Sequence, residues 1–131
     1  MSSFTSTELE VMKILWEHGQ LKPSQIQDKY CRPVNNAALR FQLKVLLEKG
    51  HIARHKIGKA YYYTAVTGRQ HTFEKTAQRI SAIFCKGSAA GLIAELIKTE
   101  NLTRQEIEQL KQYIEIKSSQ TTVQKKGVKK S

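Results

Sequence analysis

The sequence predicts a mainly α-helical chain with one small β-hairpin: an N-terminal helical unit closed by the hairpin, then a C-terminal helical unit. Three observations carry this. Apolar residues recur at helical spacing along most of the chain. One stretch, Ala60-Tyr61-Tyr62-Tyr63-Thr64, is instead rich in a strong β-former and follows a glycine turn. From about Thr67 the pattern is helical only. A length of 131 residues suits one domain or two small ones. With 40% hydrophobic and 25% charged residues the profile is that of a folded protein.

The first helix starts at a capping box, Thr5 with Glu8 three residues on. Leu9, Met12, Leu15 and Trp16 follow at helical spacing, and Gly19 stops the run. Pro23 sits where a second helix begins. That helix is short, carries Ile26 and Tyr30 on one face, and closes at Arg32-Pro33. Asn35 or Asn36 caps a third helix that runs to Lys49 and ends at Gly50. On it Leu39, Leu43, Leu46 and Leu47 share one side, while Ala37, Ala38, Phe41, Lys44, Val45 and Glu48 lie on or near the other, with Arg40 on the flank.

Next come two short segments around the basic tip Lys56-Ile57-Gly58-Lys59. Three helices followed by a hairpin with a basic tip is the winged-helix order. A helix fits the major groove, and a basic hairpin beside it reaches the phosphates. The expected division is a winged-helix DNA-binding domain over 1–66, a helical dimerisation domain over 67–116 and a disordered basic tail over 117–131. In the middle part Phe73, Ala77, Ile80 and Phe84 mark one stripe, Leu92, Ile93, Leu96 and Ile97 a second, and Ile107, Leu110 and Ile114 a third behind the capping box Thr103/Glu106. Three such helices hardly bury their stripes alone. Twofold pairing with a second copy solves this, so these residues are the expected dimer contacts.

Charge follows the same division. The chain has 22 Lys and Arg against 11 Asp and Glu, net +11. Ten basic and five acidic residues put +5 in 1–66, seven and six put +1 in 67–116, and five and none put +5 in 117–131. The basic segments suit nucleic-acid phosphates, and the near-neutral middle suits protein contact. No apolar run is long enough for a membrane helix and no secretion signal opens the chain, so no membrane insertion and a cytoplasmic location are expected.

The expected DNA-binding residues are Asn36, Ala37, Ala38, Arg40, Phe41 and Lys44 on the third helix, with Lys56 and Lys59 on the wing. Arg40 and Lys44 suit guanine or phosphate, and the apolar members suit thymine methyls. For Arg40 and Lys44 the competing reading is a solvated helix face; for Phe41 it is a core residue folded back onto the second helix. Arg54 and His55 are weaker candidates. His18, His51, His55 and His71 lack carboxylates or cysteines at a zinc spacing, so no metal is expected. Cys31 and Cys85 read most simply as small core residues. No nucleophile elbow or phosphate-binding glycine loop is present, so neither an enzyme nor a cofactor is expected.

Five blocks are similar, in order, to the penicillinase-repressor family of the BlaI, MecI and CopY type. They are Leu9-Glu10-Val11-Met12-Lys13-Ile14-Leu15-Trp16, Leu46-Leu47-Glu48-Lys49-Gly50, Gly58-Lys59-Ala60-Tyr61-Tyr62-Tyr63, Ile83-Phe84-Cys85-Lys86-Gly87-Ser88 with Leu92-Ile93, and Leu102-Thr103-Arg104-Gln105-Glu106-Ile107-Glu108-Gln109-Leu110. The resemblance spans about residues 4–116. It implies a homodimeric transcriptional repressor that binds a palindromic operator on double-stranded DNA and blocks the promoter of an antibiotic-resistance or stress-response operon. It also implies, for one branch, a membrane sensor protease or its signalling partner. Three departures matter. No cysteine follows Cys85, which tells against the copper-sensing branch. Glu95 and Leu96 stand where the β-lactam branch is cut between Asn and Phe, which tells against inactivation by that cleavage. Phe41 and Val45 stand where the family usually has Thr and a basic residue, which points to a different operator. A winged-helix protein-interaction module that reads no DNA sequence is the alternative.

Overall fold

The computed structural model describes residues 4–129, with side chains as far as Thr121. The chain order is α1 (Ser6–His18), α2 (Pro23–Asp28), α3 (Asn36–Glu48), β1 (Ile52–Ile57), β2 (Ala60–Ala65), α4 (Arg69–Phe84), α5 (Ala89–Thr99) and α6 (Arg104–Lys129). This is the three-helix, hairpin, three-helix order expected from the sequence.

The Thr5/Glu8 capping box forms, with Glu8 N–H donating to Thr5 Oγ1 at 3.1 Å and Thr5 N–H donating to Glu8 Oε1 at 2.9 Å. The buried arc of α1 is wider than its expected seam. Val11, Met12, Ile14 and Leu15 are buried, while Leu9 and Trp16 are half-buried at its edge. α1 needs that width because it packs on α2, α3 and β2 together. Glu8 lies on the same arc and is buried, and Lys49 Nζ donates to its second oxygen at 2.8 Å. Burial pushes the Glu8 carboxyl up, but the Lys49 ammonium and the Thr5 N–H outweigh it and hold it below the usual carboxylate range. This pair ties the start of α1 to the end of α3.

α2 begins at Pro23, as expected, and buries Ile26. It ends at Asp28, so Tyr30 is not on its face; Tyr30 lies beyond the helix end and is half-buried. Arg32 grips Glu10 through two hydrogen bonds of 2.6 and 3.0 Å, and Gln27 donates to the Val34 carbonyl at 2.8 Å. These bonds hold the link that delivers the chain into α3. Asn35, of the two asparagines, is the cap, accepting from Ala38 N–H at 3.1 Å.

The hairpin pairs Ile52 with Ala65 through to Ile57 with Ala60, and Gly58 takes a positive φ of 65° in the two-residue turn. Leu21 and Tyr63 exchange both backbone hydrogen bonds, at 2.7 and 3.1 Å, which fastens the hairpin to the α1–α2 link. The core is Val11, Met12, Ile14, Leu15, Leu21, Ile26, Leu39, Leu43, Leu46, Ile52 and Tyr63. All of it lies before residue 66.

The C-terminal helices are built differently. α4 packs on α5, and among the described residues α6 makes no comparable contact with another element. Among the described residues of all three, only Ser81 is buried. α6 runs on to Lys129, past Lys117, the expected start of the unstructured tail. No proline follows Lys117, and extending a formed helix is far less costly than nucleating one. The tail lysine side chains from Lys125 onward lie outside the described residues. Cys31 is exposed and Cys85 half-exposed, so neither is the core residue expected. Each sits just past a helix end, where the chain turns over the surface. No single helix among the described residues is long and apolar enough to cross a membrane.

Candidate nucleic-acid interface

α3 sorts its side chains because a 3.6-residue repeat puts positions three and four apart on one face. Leu39, Leu43 and Leu46 are buried against α1, α2 and β1. Asn36, Ala37, Ala38, Arg40, Phe41 and Lys44 are all exposed. Phe41 settles the competing reading, since 61% of it is exposed and it does not fold back as core. Asn36 does not cap. Its Oδ1 accepts from Arg40 Nε at 2.9 Å, one helical turn on. That bond lays the guanidinium along the helix surface, and its Nη groups have no partner among the described residues.

The hairpin completes the surface. Directly opposed residues in an antiparallel ladder share a face, so the pairs Arg54–Tyr63 and Lys56–Tyr61 lie on one side. Tyr63 on that side is buried in the core, which turns the whole side toward α3. Arg54 therefore meets Arg40 and Lys44 across a groove of about 340 Å³, which Leu43, Leu47, Glu48 and Tyr63 complete. Three cations against one carboxylate leave this groove positive. Arg54 also stacks on the Tyr61 ring at 4.5 Å, a cation–π contact that holds its side chain in place. The sequence ranks Arg54 low. Its signal is strand alternation with Tyr63, and that is decisive only once the register is known. Lys56 and Lys59 lie exposed on either side of the Ile57-Gly58 tip. The exposed Ile57 gives that tip an apolar centre.

His18, His51, His55 and His71 do not converge, and the described residues contain no group of three or more histidines, cysteines and carboxylates placed for a metal ion. His51 Nδ1 instead meets Thr67 Oγ1 at 2.7 Å.

The expected dimer contacts are open. Phe73, Ile80, Phe84, Ile93, Leu96, Ile97, Ile107, Leu110 and Ile114 are exposed, and Ala77 and Leu92 half-buried. Ile83, Tyr113 and Ile116 extend these faces beyond the stripes that periodicity marks. Between α5 and α6 an open groove of about 1070 Å³ runs from Ile93, Leu96 and Ile97 to Leu110, Tyr113 and Ile114. Glu95 and Leu96 are exposed on α5.

A helical unit with a half-exposed cationic helix beside a basic hairpin defines a winged-helix DNA-binding regulator. The comparisons agree. The family model described as penicillinase repressor matches residues 4–116, and the chain belongs to that family. It is similar to the penicillinase repressor of Bacillus licheniformis, at 23% identity over 85% of this chain and 88% of that one. It is also similar to an uncharacterized 16.5 kDa protein of Latilactobacillus sakei from the ptsI 3′ region, at 26% identity over 90% of this chain and 82% of that one. Among solved structures, the oxidized form of MarR from E. coli shares the fold, with a TM-score of 0.53 and 20% identity over 86% of this chain and 74% of that one. The protein is a winged-helix transcriptional repressor, of a family of regulators rather than enzymes.

Proposed function

We propose that two copies of the chain pair through α5 and α6 and hold two α3–hairpin units against an inverted-repeat operator, blocking a bacterial promoter by occupancy. The observation that carries this is the outward set Arg40, Lys44 and Arg54 on a helix whose leucines are buried and the strand beside it. α3 spans about 20 Å at 1.5 Å per residue, long enough to lie in a major groove with its N-terminal half at the base edges. Arg40 and Lys44 pair with guanine or phosphate there, and Ala37, Ala38 and Phe41 face thymine methyls. Lys56 and Lys59 meet the flanking backbone.

The partner for the open α5–α6 groove is a second copy. Its apolar residues need an apolar cover, and the same faces on a twofold mate supply one. Dimerisation makes the second half-site contact effectively intramolecular and raises affinity without a new contact. Repression is then steric and needs no chemistry, and the protein works in the cytoplasm, where the promoter is. A signal acting on α5, where Glu95 and Leu96 lie, separates the copies and releases the operator.

Selection from random duplexes, with mass measurement of the free protein, tests this. The expected outcome is a dimer and an inverted repeat, with half-sites about one helical turn or a multiple of it apart. A monomer, or an asymmetric or sequence-blind selection, contradicts it.

A further inference from the structure

The base of the hairpin holds a second cleft, which the DNA-facing surface does not use. It measures about 680 Å³ and lies where the winged unit joins α4. Its apolar side is Phe4 and Val66; its basic side is His71, Lys75 and Arg79, each four residues apart on α4. Neither Lys75 nor Arg79 has a hydrogen bond or ion pair among the described residues. The one carboxylate of α4, Glu74, lies off this face and accepts from Gln70 at 3.2 Å. No acidic residue lines the cleft. The surroundings are braced: Trp16 Nε1 donates to the Thr67 carbonyl at 2.9 Å, and Val66 N–H donates to the His51 carbonyl at 2.8 Å.

We propose that this cleft binds a small organic anion, its carboxylate on Lys75 and Arg79 and its apolar body on Phe4 and Val66. The volume lies within the range of small-molecule pockets, and a junction between two units is a common place for one. Unpaired cations beside an apolar wall select a ligand that is charged at one end only. DNA backbone is the weaker occupant. The cleft lies at the strand ends remote from the wing tip, about 20 Å away at the rise of an extended strand, and at the C-terminal end of α3.

The test uses the full chain without DNA, so its outcome is independent of the operator reading. 1-Naphthoate is titrated by calorimetry into the protein and into the K75Q/R79Q variant, with 1-naphthalenemethanol as the uncharged analogue. The expected result is saturable binding of one naphthoate per chain, at least tenfold weaker in K75Q/R79Q, and at least tenfold weaker for the alcohol. Both residues are exposed, so the variant's thermal midpoint is expected to match the parent's. Absence of saturable binding, equal binding by the alcohol, or binding that survives K75Q/R79Q in the α5–α6 groove would overturn the proposal. A separate duplex titration covers the rival occupant: a K75Q/R79Q variant that loses duplex affinity while the parent ignores naphthoate would make this face a phosphate contact and overturn the proposal.

Discussion

The two halves of this chain use apolar side chains in opposite ways. Before residue 66 they converge: α1, α2, α3 and the hairpin enclose a core of fully or nearly fully buried residues around Met12, Leu39 and Leu46. After it they diverge, and Phe84 at 76% exposed and Tyr113 at 68% stand open on helices with almost no interior. The first half is stable by its own packing. In the proposed dimer the second half acquires its interior from the other copy. For the proposed dimer this split lets association be undone while the winged unit stays folded.

The sharpest way to break this contrast is a charge in the open half. Leu96→Asp places a carboxylate on the α5–α6 groove. It is expected to leave a folded monomer and to lower operator affinity by about 10²- to 10⁴-fold, the gain that bivalency supplies. Light scattering and a duplex titration read both effects. The converse substitution is Leu43→Ala in the closed half, which is expected to cost about 2–5 kcal/mol as a cavity in a packed core. Its urea transition shifts while the dimer mass stays the same.

Acid probes the contact between α1 and α3. Glu8 has a folded pKa below the ordinary value of 4.5, so its contribution is fully present above that value and is lost as pH falls through the lower, folded one. Unfolding curves taken across that range are expected to show a stability loss for the parent that Glu8→Gln does not show. Glu8→Gln itself is expected to cost about 1–3 kcal/mol at neutral pH, because Lys49 loses a charged partner. The smallest effect lies on the wing. Lys56→Gln or Lys59→Gln is expected to lower the slope of log affinity against log salt by about one unit, without changing which operator is chosen.

Much of this fold is legible in the sequence because it rests on local rules. The Thr5/Glu8 and Thr103/Glu106 boxes, Pro23 opening α2, Gly58 in the turn and the leucine spacing of α3 each depend on residues a few positions apart. What requires the structure depends on distant partners. Trp16 packs half-buried at the edge of the core, where Thr67, fifty-one residues on, takes its indole N–H. Glu8 is buried because Lys49 is there to pair with it. Arg54 joins the groove with Arg40 and Lys44 because the hairpin register sets it opposite Tyr63. Phe41 is undecided by sequence, since periodicity alone does not say whether a flank residue meets solvent or α2. The full length of α6 escapes a sequence reading because a polar, lysine-rich stretch lacks the apolar period that marks a helix, and nothing in it stops one.

The proposed function rests on DNA reading by the outward face of α3. Arg40→Gln with Lys44→Gln removes both charges from exposed positions, so the variant is expected to stay folded and dimeric. Titrated against the selected inverted repeat at fixed salt, it is expected to bind about 5- to 150-fold more weakly per residue changed, in line with about 1–3 kcal/mol for each base or phosphate interaction removed. Unchanged affinity in a folded dimer would contradict the claim that this helix reads DNA.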